Sequence, residues 1–177
     1  MNKLYYEGPN PTVDLVILNH ESKILLIKRK STAEACPAMW ALPGGFIDSL
    51  KDDKNINKRF IEGAETPEQA AKREVKEETN LSLDDNIIIS PVGIYEGNNR
   101  DPRDNSIGWS KSYTFFYSIP EDIFENQKEQ IRGLDDAEDV DWKTIDEIKS
   151  MTLAFDHGKI IDDSLNLYFY KKNKLKP

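Results

Sequence analysis

The chain has 177 residues, of which 38% are hydrophobic and 32% are charged, and its formal net charge is −8. This length and composition suit one globular domain, over residues 1–177, that buries about two-thirds of its unfolded surface. A strongly acidic chain lacks the basic footprint of nucleic-acid-binding domains. No apolar run approaches the roughly 20 residues that cross a bilayer, and residues 1–6 lack a signal-peptide core, so we expect a cytoplasmic protein without membrane contact.

The first predicted element is a β-hairpin. Two aliphatic and β-branched runs, residues 12–18 and 23–29, flank the turn-like segment 19–22. A glycine pair, Gly44 and Gly45, follows later in the chain, directly after Pro43.

A helix is predicted next, with both of its ends marked in the sequence. Thr66 is the expected N-cap, Pro67 takes the first helical position, and Gln69 completes a capping box. At the other end, Asn80 occupies the place where a left-handed residue closes a helix.

This helix carries three acids on one face. Each residue turns the helix by about 100°, so Glu74 stands above Glu78, and Glu77 flanks them. Like charges at this spacing destabilise an isolated helix by roughly 0.2–0.5 kcal/mol per pair. A hard divalent cation such as Mg²⁺ or Mn²⁺ offsets the repulsion, because such ions bind carboxylate oxygens.

The remaining elements are strands followed by one helix. Aliphatic and aromatic runs predict strands over residues 86–90, 92–95, 112–119 and 140–142. Helical spacing of apolar residues predicts a helix over 155–170. Mixed strands with few helices favour an α/β fold with α/β/α layers.

The acidic helix and the glycine pair together form a longer motif, over residues 44–81. The pattern G-x5-E-x7-R-E-U-x-E-E-x-G-U, with U an aliphatic residue, is filled at Gly45, Glu65, Arg73, Glu74, Val75, Glu77, Glu78 and Leu81. The chain therefore resembles the Nudix hydrolases. Two departures are visible: Asn80 replaces a glycine, and an insertion of about 14 residues lies near 49–62.

The resemblance implies a Nudix-type α/β/α sandwich with a mixed β-sheet, an α+β arrangement, over about residues 12–165. It also implies metal-assisted hydrolysis of a phosphoanhydride, with Mg²⁺ or Mn²⁺ as cofactor. The metal ligands that it implies are Glu74, Glu77, Glu78 and the backbone carbonyl of Gly44. Arg73 is expected to orient the acids through charge-assisted hydrogen bonds, and Glu65 to brace the loop.

Hydrolysis also requires a general base within hydrogen-bonding reach of the attacking water. In Nudix enzymes this is often an acid outside the motif, and the acid-rich segment 133–142 resembles the approach to the family's late strand. The candidates are Asp135, Asp136, Glu138 and Asp139. We favour Asp136 over Glu138, with Glu77 as the alternative within the motif, and any one of these acids also suits a solvated turn.

The substrate is indicated by residues 99–104, which resemble the Arg-Asp-Pro-Arg segment of bacterial ADP-ribose pyrophosphatases. Arg100 and Arg103 are accordingly expected to bind a diphosphate or a terminal phosphate; the alternative is a surface turn with two solvated arginines. Adenine requires an aromatic or apolar stacking surface, for which Phe46 is the first candidate. Other candidates are Trp40 and Trp109, and the alternative for each of the three is a place in the hydrophobic core. The segments that resemble the same subgroup are 12–14, 40–46 and 154–157.

The resemblance therefore predicts hydrolysis of ADP-ribose, or a related nucleoside diphosphate sugar, to AMP and ribose 5-phosphate or another sugar phosphate. The alternatives are a nucleoside triphosphate pyrophosphatase that sanitises the nucleotide pool and a catalytically weak ADP-ribose-sensing domain. Regulators of the second kind carry a DNA-binding domain after the Nudix domain. Because only the basic tail 171–177 follows the last helix, we expect a small-molecule nucleotide partner and no nucleic acid. Family habit suggests a homodimer.

Overall fold

The computed structural model describes residues 7–48, 65–97 and 100–174, so the predicted insertion at 49–62 lies outside the described residues. Among the described residues, none of the helices combines the length and the apolar character that crossing a membrane requires. The elements in chain order are β1 (Gly8–Leu18), β2 (Lys23–Arg29), β3 (Trp40–Ala41), β4 (Gly44–Phe46), α1 (Pro67–Thr79), β5 (Ser90–Glu96), β6 (Gly108–Ser118), α2 (Glu121–Gln127) with a 3₁₀ turn (Lys128–Gln130), β7 (Ala137–Thr144), α3 (Ile145–Ser150) and α4 (His157–Lys174).

All of these strands join one mixed sheet that is organised around β1. The main path through the sheet runs β3-β2-β1-β6-β5. Strand β1 pairs in parallel with β6 along its whole length, and it pairs antiparallel with β2 at one end and with β4 in the middle. Strand β7 pairs antiparallel with β2, and β5 pairs antiparallel with β6. The predicted hairpin of β1 and β2 is therefore present.

Strand β1 separates two hydrophobic cores because successive side chains point to opposite faces of a sheet. On one face, it contributes Val13, Leu15 and Ile17 to a core that also contains apolar residues of α1 and α2. On the other face, it contributes Val16 and Leu18 to a core shared with α3 and α4. Helices on both faces of a mixed sheet confirm the predicted α/β/α sandwich.

The face that carries Val16 and Leu18 becomes polar toward the start of β1. Asn10 and Asp14 are buried there, beside the β6 residues that pair with this part of the strand. The buried polar side chains on β6 are Ser110, Ser112 and Thr114. Because buried polar groups need partners, such a patch is typical of the floor of a binding cleft rather than of a hydrophobic core.

The predicted ends of α1 are confirmed. The Thr66 hydroxyl accepts the Gln69 N–H at 3.2 Å, and the Gln69 side chain accepts the Thr66 N–H at 2.8 Å, which completes the capping box. Asn80 closes the helix with a left-handed φ of 61°. Ala70 and Ala71 are buried, so their small side chains bring α1 close to the sheet.

Several predicted boundaries were wrong, and β1, β6 and β7 each begin three or four residues earlier than predicted. Residues 86–89 are not a strand, because the chain turns there: the Ile87 N–H donates to the Asp84 carbonyl, and Lys72 Nζ also donates to that carbonyl. The strand begins at Ser90 instead. The last helix begins at His157 rather than at Phe155, because Phe155 adopts a left-handed φ of 52° that no α-helix continues. Helices α2 and α3 were not predicted.

Candidate active site

A cleft of about 510 Å³ gathers segments that are distant in the sequence. It is lined by parts of β1, β4 and α1, by the stretch after β2, and by residues that precede β6, β7 and α4. Most of the residues predicted for the site line it: Gly44, Phe46, Arg73, Glu74, Glu77, Glu78, Arg100, Arg103, Asp135 and Asp136. The fold thus brings the predicted metal ligands and the predicted substrate contacts into one cavity.

Arg73 is the centre of an ion-pair network on α1. Its guanidinium donates to Glu74 Oε1 at 2.9 Å and to Glu77 Oε2 at 2.8 Å. It also donates to both carboxylate oxygens of Glu65, at 3.0 and 2.5 Å, and to the Phe46 backbone carbonyl at 3.0 Å. Charge-assisted bonds of this kind are stronger than neutral ones, so Arg73 holds the acids of α1 and the end of β4 in one geometry.

Glu65 joins the two sides of the predicted insertion. Its Oε1 accepts the backbone N–H of Asp48 at 2.7 Å, while both of its oxygens accept hydrogen bonds from Arg73. Asp48, which precedes the insertion, therefore contacts Glu65, which follows it, and both lie against Arg73 of α1. The extra residues leave the contact between the glycine pair and the helix in place.

The two glycines of β4 are required by close approach. A Cβ on Gly44 would lie 2.1 Å from the Val13 carbonyl oxygen, and one on Gly45 would lie 2.5 Å from Glu74 Oε1. Real Cβ contacts are never this short, so a larger residue at Gly44 would push the backbone off β1. The Gly44 N–H donates to Glu78 Oε2 at 2.9 Å, so the strand also bonds directly to a buried acid of α1.

Burial changes the acid–base behaviour of these glutamates. Loss of solvation raises the pKa of Glu74 to about 7, although the charge of Arg73 acts in the opposite direction. The pKa of Glu78 rises well above its ordinary value, first because the side chain is buried and also because Glu74 is nearby, against a hydrogen bond from Gly44. Ionising both carboxylates, one helical turn apart and out of water, is therefore unfavourable unless a cation lies beside them.

A second buried network lies on the polar part of the sheet. Asp14 Oδ2 accepts hydrogen bonds from Arg100 Nη2 at 2.6 Å and from Ser112 Oγ at 2.5 Å. Asp14 Oδ1 lies 3.2 Å from Nε2 of His157, whose Nδ1 accepts the Leu42 N–H at 2.8 Å. Burial alone would raise the pKa of Asp14, but His157, Arg100 and the hydrogen bonds outweigh it, so the pKa falls well below its usual range.

The two predicted substrate arginines differ in their surroundings. Arg100 is 7% exposed and lies between Asp14 and Asp156, with Nε 3.1 Å from Asp156 Oδ1. Arg103 is 14% exposed, donates to both oxygens of Asp101 at 3.0 and 2.7 Å, and lies 5.7 Å above the Phe46 ring. Both guanidiniums are therefore preorganised by carboxylates at the wall of the cleft.

The aromatic residues of the cleft differ in part from those expected. Phe46 lines it, whereas Trp40 and Trp109 are not among the described residues that do. Trp40 packs instead against the core of α3 and α4, and Lys143 Nζ lies 4.9 Å from its ring. Phe155 was not predicted and does line the cleft, with Arg29 placed 5.3 Å from its ring.

The structure also separates the candidates for the general base. Asp135 and Asp136 line the cleft, immediately before β7 begins. Glu138 and Asp139 lie within β7, outside the lining residues. The Asp136 carbonyl accepts the Lys30 N–H at 3.1 Å, which ties this turn to the stretch after β2.

Several cleft residues were missed by reasoning from sequence. Asp14, Phe155 and His157 fall in segments that resemble the ADP-ribose pyrophosphatases, and the resemblance was the signal that could have found them. Arg29 had no signal of its own, because a basic residue at the end of a strand is ordinary. Only the pairing of β2 with its neighbours brings it to the cleft.

Comparison with known proteins agrees with this geometry. The NUDIX domain family model matches residues 8–164. The chain belongs to the Nudix family. The resemblance predicted from the motif is thereby confirmed, and the match extends well beyond the motif on both sides.

Two relatives of this chain carry ADP-ribose in their names. The chain is 35% identical over 159 residues to the ADP-ribose pyrophosphatase of Methanocaldococcus jannaschii, covering 89% of this chain and 74% of that protein. It is 30% identical over 162 residues to the ADPR responsive transcriptional repressor NtrR of Acinetobacter baylyi, covering 90% of this chain and 54% of the repressor. The chain thus spans about half the length of the repressor. The family match and the ADP-ribose pyrophosphatase relative support the predicted Nudix pyrophosphohydrolase.

A solved Nudix structure shows the same architecture. The NUDIX domain of Shewanella oneidensis NrtR, crystallised with ADP ribose, superposes with a TM-score of 0.69 at 25% identity, covering 92% of this chain and 90% of that domain. The mixed sheet between helices is therefore the Nudix fold, as predicted.

Nudix hydrolases generally use divalent metal ions, and the buried acids of α1 suit one. Among the described residues, no three His, Cys, Asp or Glu side chains are already grouped to hold a metal. Arg73 donates to one oxygen of Glu74 and one oxygen of Glu77, so the second oxygen of each carboxylate can bind an ion. Hard cations prefer carboxylate oxygens, and a positive charge here relieves the repulsion between Glu74 and Glu78. The donor set therefore fits Mg²⁺ or Mn²⁺.

We expect Glu74 to make the metal-free protein less stable as the pH rises. The folded protein holds the Glu74 proton with a pKa of about 7, against 4.5 for the ordinary side chain, so unfolding releases a proton between these values. The free energy of unfolding should fall across that window by about 3 kcal/mol, and this part of the slope should vanish in Glu74→Gln. Urea unfolding with a chelator measures it.

The matched control is Glu68→Gln, an exposed acid in the first turn of the same helix. It should keep the wild-type dependence on pH. Parallel curves for Glu74→Gln and the wild type would contradict the burial argument.

Proposed function

We propose that this chain is a Mg²⁺-dependent Nudix pyrophosphohydrolase that cleaves ADP-ribose, or a closely related nucleoside diphosphate sugar, to AMP and a sugar phosphate. One observation carries the proposal: the acidic face of α1 and the arginines of the segment 100–103 line the same cleft. A diphosphate needs both, since a cation on the acids and the guanidiniums can neutralise its oxygens from two sides. The ADP-ribose pyrophosphatase relative supports the choice of substrate.

The acidic wall supplies the metal site. Glu74, Glu77, Glu78 and the carbonyl of Gly44 would hold the ion. When bound, such an ion neutralises phosphate oxygens and lowers the pKa of a coordinated water. The protein keeps the ligands in place through Arg73, which orients the carboxylates, and through the Gly44 N–H, which orients Glu78.

Two arginines and an aromatic residue of the cleft bind the phosphates and the organic part. Arg103 and Arg100 present guanidiniums already oriented by Asp101 and Asp14, and planar guanidiniums suit bidentate contacts with phosphate. Phe46 supplies an aromatic face in the same cleft on which adenine can stack. Other lining residues that add positive charge or apolar surface are Arg29, Lys30 and Phe155.

Asp136 is the proposed general base. It is an exposed acid that lines the cleft, whereas Glu138 does not line it. A water approaching the diphosphate from the side of α1 lies between two acidic segments, so Asp136 can accept its proton. Glu77, also exposed and within the cleft, is the alternative base.

A sensing domain remains the second candidate because of two relatives. The Acinetobacter baylyi relative is an ADPR responsive repressor, and the Shewanella oneidensis neighbour is a NUDIX domain complexed with ADP ribose. In a sensor, the same cleft would bind ADP-ribose without turning it over. The two candidates therefore share a ligand and differ in rate.

A substrate panel tests the proposed activity. AMP formation and phosphate release should be measured for ADP-ribose, nucleotide sugars, dinucleoside polyphosphates and nucleoside triphosphates, with Mg²⁺ and with a chelator. We expect the highest kcat/KM for ADP-ribose or a related nucleotide sugar, and no turnover with the chelator. Tight binding of ADP-ribose without AMP would favour the sensor, and preference for triphosphates would favour a sanitising enzyme.

Two acid variants test the assignment of the residues. Glu78→Gln removes a metal ligand and should lower kcat by orders of magnitude while the fold persists, because the amide oxygen can still accept the Gly44 N–H. Asp136→Asn should lower kcat by roughly 10²–10⁴-fold if it removes the base. Glu138→Gln, two residues away but outside the cleft, should be as active as the wild type. A near-normal rate in Glu78→Gln would exclude Glu78 as a metal ligand. A near-normal rate in Asp136→Asn would exclude Asp136 as the general base.

Arg103→Ala should weaken substrate binding more than it slows the chemistry. Loss of a charged hydrogen bond should raise KM by about tenfold or more, with a smaller change in kcat. Arg132→Ala is the control, because Arg132 is exposed and does not line the cleft. If Arg103→Ala changed only the melting temperature, Arg103 would have a structural role instead.

A further inference from the structure

His157 is a buried histidine at the first position of α4, with only 2% of its surface exposed. Both of its ring nitrogens face other elements of the fold. Nδ1 accepts the backbone N–H of Leu42 at 2.8 Å, so this nitrogen carries no proton and the ring proton belongs on Nε2. A histidine that is fixed in one tautomer between two distant segments can hold those segments in a fixed relative position.

The Nε2 side of the ring is held by Asp14. Nε2 lies 3.2 Å from Asp14 Oδ1, somewhat off the direction of an ideal hydrogen bond, so the contact is chiefly electrostatic. The other Asp14 oxygen accepts hydrogen bonds from Arg100 and Ser112. These hydrogen bonds hold Asp14 in place. Asp14 in turn holds the orientation of the imidazole from its Nε2 side.

His157 contacts the backbone of Leu42. Leu42 is the first residue of the segment 42–45, which we name the glycine loop. The loop is also tied elsewhere: the Pro43 carbonyl accepts the Leu15 N–H at 3.0 Å, and the Gly44 N–H donates to Glu78 Oε2 at 2.9 Å. Three consecutive residues thus bond to α4, β1 and α1 in turn. Among these ties, only the one at Leu42 depends on a side chain from outside the acidic helix and β1.

Backbone contacts next to this one bring the segment before α4 close to Trp40. The Ala154 N–H donates to the Trp40 carbonyl at 2.8 Å, and Leu153 forms a parallel bridge with Trp40. The chain then turns at Phe155, and His157 continues the contact one step further, at Leu42. Without the His157 acceptor, the Leu42 N–H would be buried without a partner.

We propose that His157 is a positioning residue for the metal site: it anchors Leu42 so that Gly44 keeps its place against Glu78. The inference rests on the proposed function, because it takes Gly44 and Glu78 to be metal ligands. His157 acts through the glycine loop and needs no contact with the ion or the substrate. Asp14 and Arg100 hold the Nε2 side of the imidazole in the same arrangement.

The test is a Mn²⁺ titration of the full chain without substrate, followed by electron paramagnetic resonance. His157→Phe keeps an aromatic ring and removes both nitrogens, and it should weaken Mn²⁺ binding by about tenfold or more. His157→Asn places Oδ1 near the position of Nδ1, so it can accept the Leu42 N–H and should restore much of the affinity. Ile160→Val, a buried apolar change one turn further along α4, should bind Mn²⁺ like the wild type.

Nuclear magnetic resonance of the unaltered protein gives a second readout that needs no variant. With ¹⁵N-labelled histidine, His157 should show the tautomer protonated at Nε2, with a hydrogen-bond coupling between the Leu42 amide and Nδ1. A proton on Nδ1 would overturn the inference even if His157→Phe did not fold.

Glu78→Gln in the same titration separates this inference from the proposed function. If Glu78→Gln binds Mn²⁺ like the wild type, the proposed metal site itself fails. If Glu78→Gln loses Mn²⁺ while His157→Phe binds normally, the positioning role alone fails. Equal weakening in His157→Phe and His157→Asn would also reject it, because the acceptor would then be irrelevant.

Discussion

The structure depends on the packing of a glycine-containing strand against buried carboxylates. Gly44 and Gly45 leave no room for a Cβ, because Val13 and Glu74 occupy that space. The close approach lets the Gly44 N–H bond to Glu78 and lets Arg73 reach the backbone of β4. The position of α1 relative to the sheet, and with it the shape of the cleft, follows from this contact.

The same contact makes the site electrostatically unfavourable when no cation is bound. Burial raises the pKa of Glu74 and of Glu78, which means that the folded protein resists ionising both. Arg73 offsets part of the penalty by bonding to Glu74 and Glu77. Functional sites commonly sacrifice stability in this way, because a site that binds a cation strongly must hold its negative charge out of water. The hydrophobic cores on both faces of β1 supply the stability that the site lacks.

Capping boxes in the sequence mark the starts of helices correctly, whereas an apolar run alone does not identify a strand. The capping box of Thr66 correctly marked the start of α1, and an equivalent box at Thr144 and Glu147 begins α3, although it was not used. The aliphatic run at 86–90 does not form a strand over most of its length, since Lys72 binds the backbone beside it in a turn. From there Ile87 and Ile89 contact the core, whereas Ile88 is exposed. Periodicity cannot distinguish a short buried turn from a strand, because both place apolar residues against the same core.

The sequence by itself determined α1, its acidic face and the family, because capping and four-residue spacing act within one helix and the motif is contiguous on either side of the insertion. Only the tertiary structure decided that Arg103 and Asp136 share the cleft with the acids, and that Asp48 meets Glu65 across the insertion. It alone assigned His157 a contact with Leu42, 115 positions away in the chain. These contacts depend on the pairing of β1 with β6 and of β2 with β7. Pairing between strands so far apart in the chain cannot be identified from the local sequence.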